Sequence, residues 1–126
     1  SNSVVSGAST SITANIKDAY NNPLLLSTVT FSTLGGTSTG TITATSNAGG
    51  GTYTANFTAL VAGTAKSLRV TVDGALMTLA VPVTVVPGPA SSATSTLTIS
   101  SSSIASGSSA NLVATLRDLN NNLISS

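Results

Sequence analysis

The end of this sequence repeats its beginning at an offset of one hundred residues. When residues 101–126 are laid over residues 1–26, nine of the 26 pairs are identical. The densest match sets Ile16-Lys17-Asp18-Ala19-Tyr20-Asn21-Asn22 beneath Leu116-Arg117-Asp118-Leu119-Asn120-Asn121-Asn122. A period of this length corresponds to one small domain. The sequence therefore predicts a tandem array of similar units, which is typical of a structural protein.

Small side chains dominate the composition. Ser and Thr together occupy 43 of the 126 positions, and 16 of the apolar residues are Ala. Side chains of this size can fill only a narrow interior between two sheets. A chain of 126 residues has room for one such domain and part of another.

The sequence lacks most of the side chains that carry chemistry. It contains no His, Cys, Trp, Glu or Gln, and its seven charged residues give a net charge of +1. Without His there is no base to activate the many Ser and Thr hydroxyls, so an enzyme is not expected. Four scattered cations cannot form the basic surface that nucleic acid requires. We expect no cofactor and no nucleic-acid partner.

Few charges and abundant hydroxyl residues are typical of an exported, fibrous surface protein. The most apolar stretch, residues 79–86, is interrupted by Pro82 and Thr84 and is too short to span a membrane. The sequence opens with Ser1-Asn2-Ser3 and shows no signal peptide. We expect an internal or processed segment that acts outside the cell or at its surface.

Apolar residues recur at every second position in short runs, which predicts β-strands. The runs lie around Ile12, Val29, Ile42 and Leu68, in the regular alternation from Tyr53 to Ala59, and in a return strand from Met77 to Val85 after the Asp73-Gly74 turn. Pro82 places that last strand at an edge or a kink. Because turns recur every 8 to 12 residues, we predict an all-β, antiparallel β-sandwich.

These residues resemble a known family, the bacterial immunoglobulin-like repeats of invasin and intimin type found in surface adhesins. The resemblance is carried by Ser9-Thr10-Ser11-Ile12-Thr13-Ala14-Asn15-Ile16-Lys17-Asp18-Ala19-Tyr20-Asn21-Asn22-Pro23, by Thr28-Val29-Thr30-Phe31-Ser32 and by Gly51-Thr52-Tyr53-Thr54-Ala55. It implies an immunoglobulin-like sandwich in a stalk and no catalytic residue.

The repeat predicts the domain organisation. Residues 1–86 form an immunoglobulin-like sandwich, residues 87–90 (Pro-Gly-Pro-Ala) form a linker stiffened by two prolines, and residues 91–126 supply the first strands of the next repeat. In this alignment the strand at residues 94–100 has no counterpart in the first unit, which is therefore expected to lack its opening strand.

Strand 94–100 is accordingly the predicted assembly element. Leu97 and Ile99 lie on its apolar face, and Thr94 and Ser100 mark its ends. We expect this strand of one copy to complete the first unit of the next by β-strand addition, which gives a head-to-tail fibre. The alternative is a continuous covalent array in which the preceding linker supplies the strand.

Two weaker signals remain. Asp18 with Asn21, echoed by Asp118, is the one cluster of oxygen ligands, but a single carboxylate per loop suits an Asx turn better than Ca²⁺. Asn56 begins an Asn-Phe-Thr glycosylation sequon on the outward face of its strand. Tyr53 and Phe57 share the parity of Ala55 and are expected in the core and not in a sugar-binding platform.

The function that we predict is a structural repeat of an extracellular fibre or adhesin stalk, whose partners are neighbouring repeats of itself. The alternative is an adhesive module that recognises a glycan or a host protein through its loops or a sheet face. Many near-copies in the parent sequence would favour the stalk, and a single divergent copy would favour the module.

Overall fold

The computed structural model describes residues 2–125, which form β-strands joined by turns and loops. The ten strands are β1 (Ser3–Val5), β2 (Ser9–Asn15), β3 (Val29–Leu34), β4 (Thr39–Ile42), β5 (Ser46–Gly49), β6 (Thr52–Val61), β7 (Lys66–Val72), β8 (Ala75–Val86), β9 (Thr96–Ile99) and β10 (Leu112–Thr115). Strands β1 to β8 build two facing sheets, which we call the main sandwich.

The first sheet is centred on β6. Its order is β2-β6-β4, and β5 pairs with another part of the same β6 edge. All these pairings are antiparallel. The alternation along β6 explains its central position, because Tyr53, Ala55, Phe57 and Ala59 are all buried on one face, whereas Asn56 on the other face is exposed.

The second sheet has the order β1-β8-β7-β3. Strands β7 and β8 form the hairpin predicted from Asp73-Gly74, and β3 pairs antiparallel to β7. The short β1 runs parallel to β8, with Val4 opposite Val85, which is the exception to the antiparallel pairing predicted for this fold. Pro82 lies before the stretch of β8 that pairs with β1, so its missing N–H disrupts no ladder there.

The core consists of two adjoining clusters between the sheets. One contains Val4, Phe57, Ala59, Val83 and Val85, and the other contains Ile16, Val29, Tyr53, Val70 and Val72. Within the first sheet the Phe57 ring lies over β4 at Gly40, where an added Cβ would be 2.4 Å from the ring. Among residues 2–125 the buried core thus contains two aromatic rings, Tyr53 and Phe57, and otherwise Ala, Val and Ile side chains.

Beyond the main sandwich, residues 87–90 contain no strand, and β9 and β10 form an antiparallel pair. We call residues 91–125 the C-terminal segment. In the β9–β10 pair, Leu97 is opposite Ala114, and Ile99 is opposite Leu112. Residues 112 and 114 are the repeat equivalents of Ile12 and Ala14 in β2.

Two further features of the structure differ from the sequence analysis. The strand predicted around Ile42 ends at that residue, and a separate strand, β5, follows it. The return strand carries apolar residues on one face, but that face is covered only in part: Val83 and Val85 are buried, and Leu79 and Val81 are more than half exposed. Both exposed side chains line an open groove, which is described below.

Candidate functional site

One edge of β2 is open. Strand β2 pairs with β6 on one side, and no strand among residues 2–125 lies on its other side. The amide of Ile16 donates to Gly51 O across the β2–β6 register (2.8 Å). Because amides alternate between the two edges of a strand, those of Ser11, Thr13 and Asn15 are directed to the open side. Unpaired edges of this kind accept additional strands.

An apolar groove of about 580 Å³ runs beside this edge, between the two sheets. Ile12 and Ala14 line it from β2, and Leu79 and Val81 line it from β8. Leu79 is 59% exposed and Val81 is 52% exposed although both lie on the inward parity of β8. The edge of β2 and the groove thus present backbone hydrogen-bonding groups next to uncovered apolar side chains.

In the C-terminal segment, β10 is the counterpart of β2 in the repeat alignment, and it has a strand paired with it. Strand β9 lies beside β10 on the edge that corresponds to the open edge of β2, and Ser100 donates its amide to Asn111 O (2.9 Å). Leu97 is 72% exposed and Ile99 is 47% exposed. Of the two terminal positions predicted with them, Thr94 donates its hydroxyl to Asp118 O (2.7 Å), and Ser100 Oγ accepts the amide of Asn111 (3.0 Å).

The two Asp-containing loops, residues 18–22 and 118–122, have the same internal structure. In each loop the Asp carboxylate accepts hydrogen bonds from the amides of the residues two and four positions later, at 2.8–3.0 Å. Asn21 and Asn121 adopt φ values of 68° and 67°, a left-handed conformation that Asn tolerates. The side-chain amide of the last Asn also donates to the Asp. These bonds form the Asx turns that the residue types predict.

These hydrogen bonds lower the pKa of both carboxyl groups. For Asp18, the side chain of Asn22 is the main cause of the lowered pKa, followed by the backbone amide of Asn22. Burial raises the pKa of Asp118, but hydrogen bonds from Gly88, Asn122 and Asn120 outweigh burial, so the pKa lies below its ordinary value. Both groups are therefore charged at neutral pH.

The surroundings of the two loops are different. Asp18 and Asn22 are exposed, whereas Asp118 is only 2% exposed and Asn122 only 7%. Loop 118–122 is covered because it packs against the main sandwich and the linker. Asp118 Oδ2 accepts the amide of Gly88 (2.8 Å), and Asn122 Oδ1 accepts the amide of Ala62 (2.8 Å).

We call the region where loop 118–122 packs on the main sandwich and the linker the junction. Asn122 makes the densest set of contacts there. Its side-chain amide lies 2.9 Å from both Leu60 O and Ser6 Oγ. Ser6 Oγ also accepts the side-chain amide of Asn120 (2.8 Å) and donates to Leu60 O (2.6 Å). The Asn122 side chain thus hydrogen-bonds both Leu60 O and the Ala62 amide at the end of the main sandwich.

Sequence reasoning singled out Asp18, Asn21 and Asp118 as weak ion ligands and missed this junction. Within residues 2–125, no three His, Cys, Asp or Glu side chains cluster as metal ligands would. Both oxygens of Asp18 accept N–H groups from their own loop, so a cation would have to displace these bonds. The junction could not be seen in the repeat alignment, because the covered Asp118 and the uncovered Asp18 have the same sequence signature.

The remaining candidates lie on the expected faces. Asn56 is exposed on β6, and its side-chain oxygen accepts a hydrogen bond from Ser11 Oγ (3.3 Å). Tyr53 and Phe57 are buried, as predicted. The Tyr53 hydroxyl donates to Leu24 O and accepts the amide of Ser27, both at 3.0 Å. These two rings therefore belong to the core and do not form a surface platform for a sugar.

No helix long and apolar enough to cross a membrane occurs in the part of the chain that the structure describes. A comparison with curated proteins gave no match. Among solved structures, invasin, a bacterial integrin-binding protein, is 26% identical with a TM-score of 0.74, over 98% of this chain and 26% of its own.

Two adhesins are also similar. FdeC of Escherichia coli is 29% identical with a TM-score of 0.65, over 96% of this chain and 39% of its own. InvE of Yersinia pseudotuberculosis is 22% identical with a TM-score of 0.68, over 94% of this chain and 32% of its own, and at this identity the likeness shows the fold alone. This chain therefore spans between a quarter and two fifths of the length of these structures.

The family described as invasin, domain 3, matches residues 1–88, which are more than half of the sequence. This range includes all eight strands of the main sandwich. The match and the structural neighbours confirm both the predicted resemblance and the immunoglobulin-like β-sandwich. The chain belongs to the invasin domain 3 family.

Proposed function

We propose that this chain is a structural repeat of an extracellular adhesin stalk or fibre, joined to its neighbours end to end by β-strand pairing. Its family and its similarity to invasin and the adhesin FdeC support a role in a bacterial surface adhesin. The absence of His, Cys and Glu from the sequence supports a structural role over a catalytic one.

The observation that carries the proposal is the agreement between the open edge of β2 and the register of β9 on β10. If the β9–β10 register is transferred by one hundred residues, Leu97 of an added strand lies opposite Ala14, and Ile99 lies opposite Ile12. Both positions border the apolar groove. A strand of this sequence would satisfy the open edge and cover the groove with its two apolar side chains.

The occupant is strand 94–100 of a preceding copy or repeat. Such a contact is heterologous, because it joins the C-terminal part of one unit to β2 of the next. Heterologous contacts that do not close by rotation propagate into a linear assembly. The resulting head-to-tail chain would extend the molecule along its length.

A covalent extension tests the pairing directly. The sequence of residues 91–100 is fused to the N-terminus, immediately before Ser1, which is its position in the repeat alignment, and hydrogen exchange of the Thr13 amide is measured together with thermal unfolding. Burial of a Leu and an Ile contributes about 1.5–3 kcal/mol each, opposed by the entropy of ordering the strand. We expect slower exchange at Thr13 and a gain in stability on the order of 1 kcal/mol or more.

The matched control carries Asp at the Leu97 and Ile99 positions of the extension and should give neither effect. Unchanged exchange at Thr13 with the unmodified extension would overturn the strand-pairing proposal. Sedimentation of the natural chain over a range of concentrations then identifies the source of the strand. Association that L97D/I99D abolishes indicates donation between copies, and a monomer at all concentrations assigns the pairing to a covalent array.

A further inference from the structure

The two Asp-containing loops have the same internal structure, but one is covered by the main sandwich and the other is exposed. Loop 118–122 packs on the end of the main sandwich, whereas loop 18–22 has the same internal hydrogen bonds and nothing packed on it among the described residues. Tyr20 at the tip of the uncovered loop is 88% exposed, an unusual position for an aromatic residue.

The surface that receives loop 118–122 consists mainly of backbone. Within residues 2–125, its hydrogen-bonding groups are Leu60 O, the amides of Ala62 and Gly88, and the hydroxyl of Ser6. Recognition of this kind depends on the shape of the chain at the β6–β7 turn and the linker, and little on side-chain identity. Another repeat with the same turn and linker would present the same groups.

From this correspondence we propose that loop 18–22 is the docking surface for the linker end of a preceding immunoglobulin-like repeat. Asn22 binds the two backbone groups of that repeat that correspond to Leu60 O and the Ala62 amide. Asp18 accepts the linker amide that corresponds to Gly88. The inference rests on the proposed function, because it requires a preceding repeat of the same fold.

Position 20 carries Tyr where the corresponding position 120 carries Asn, and this difference fits the docking surface. Asn120 lies beside Gly7, where an added Cβ would be 3.6 Å from its side-chain nitrogen. A repeat with Gly at this position leaves room for a larger side chain there. Tyr20 would then cover the end of the preceding repeat, which explains a large aromatic side chain in this exposed loop.

The segment that leads from the linker to the added strand would make two contacts with the next repeat, the strand pairing with β2 and the docking on loop 18–22. In the C-terminal segment the residues that lead from the linker to β9 are tied to the loop, because Ser91 donates its amide to Arg117 O (2.8 Å) and the Thr94 hydroxyl donates to Asp118 O (2.7 Å). A preceding repeat that supplies an edge strand to β2 therefore also positions its linker over loop 18–22. The docking fixes the angle between the repeats, in addition to holding them together.

A tandem chain tests the docking. Residues 1–100 are fused to the N-terminus of the complete 126-residue chain, and amide hydrogen exchange is measured at the upstream copies of Ala62 and Gly88. In this tandem, Asn22→Ala in the downstream copy should accelerate exchange at the upstream Ala62 by roughly three- to tenfold, the effect of losing one net hydrogen bond. Asp18→Ala should have the same effect at the upstream Gly88.

Two controls make the outcome specific. N22A in the single chain should leave exchange at Ala62 unchanged, because Asn122 covers that amide there. N122A in the single chain should accelerate it, which verifies the junction already described. Equal exchange at the upstream Ala62 with and without N22A in the tandem overturns the docking proposal.

Exchange at the downstream Thr13 separates this failure from failure of the proposed function. A protected Thr13 with an upstream Ala62 that does not respond to N22A means that the strand pairs but the loop does not dock. An unprotected Thr13 means that the strand pairing itself is wrong, and the docking is then decided by the response of the upstream Ala62 to N22A alone.

Discussion

At the scale of single residues, Ser38 is the clearest case of a buried polar group that the fold requires. Its side chain is fully buried, and its hydroxyl accepts the amide of Val85 in the core strand β8 (3.0 Å). Because no water can reach this site, loss of the hydroxyl leaves the Val85 amide without a partner.

We therefore predict that Ser38→Ala lowers the free energy of unfolding by about 1–3 kcal/mol, measured by denaturant or thermal unfolding. Ser32→Ala is the matched control, because Ser32 is exposed on β3, and this substitution should change stability by less than about 0.5 kcal/mol. Equal effects of the two substitutions would show that the Ser38 hydrogen bond is not important for stability.

At the scale of elements, the β7–β8 hairpin depends on the conformation of two residues. Asp73 has φ 49° and Gly74 has φ 83°. An added Cβ at Gly74 meets no atom within 4 Å, so a substitution there is unfavourable only because of the backbone conformation. Asp73 also accepts the amide of Thr28 through its side chain (2.7 Å), which ties the turn to the start of β3.

Gly74→Ala is accordingly expected to destabilise the protein by about 1–2 kcal/mol although it touches nothing. Asp73→Asn should be close to neutral, because Asn tolerates positive φ and retains an oxygen for the Thr28 amide. Both values come from the same unfolding experiment. A neutral Gly74→Ala would mean that the turn relaxes to a conformation without positive φ.

The strands with strict alternation could be predicted from the sequence, and those without it could not. The regular pattern from Tyr53 to Ala59 predicts the buried face of β6 because burial follows a period of two. Strand β5 was missed because Ser46-Asn47-Ala48-Gly49 is exposed throughout and carries no apolar alternation. The alternation also places Leu79 and Val81 on the apolar face of β8, but it does not show that the groove beside β2 leaves this part of the face uncovered.

At the scale of the whole molecule, the repeat predicted which segments resemble each other but not what each segment contacts. The Asx turns follow from Asp, Asn and a left-handed residue, all of which are local properties. The burial of Asp118 depends instead on Gly88, which lies thirty residues away and reaches it through the path of the linker. Contacts of this kind have no signature in local sequence, so the junction emerged only from the three-dimensional structure.

The charge inventory leads to a prediction for the stability of the whole molecule against pH. The side chains that ordinarily titrate between pH 5 and 9 are His and Cys, and the sequence contains neither. An Asp side chain ordinarily has a pKa of about 3.9. The pKa values of Asp18 and Asp118 both lie below this ordinary value. A carboxyl group of this kind stabilises the folded state fully above its unfolded pKa, and that contribution is lost as the pH falls through the lower, folded pKa.

We therefore expect an almost constant melting temperature between about pH 5.5 and 9, followed by a decrease below about pH 4. Asp118→Asn should lower the melting temperature at neutral pH, because its amide group would face the N–H donors of Gly88 or Asn122. It should also weaken the decrease in acid, since one of the two responsible groups is gone. Ser32→Ala, which changes no titratable group, is the control that should keep the acid dependence of the natural chain. A melting temperature that changes by many degrees between pH 5.5 and 9, or an acid dependence that Asp118→Asn leaves intact, would contradict the assignment of this stability to the loop carboxylates.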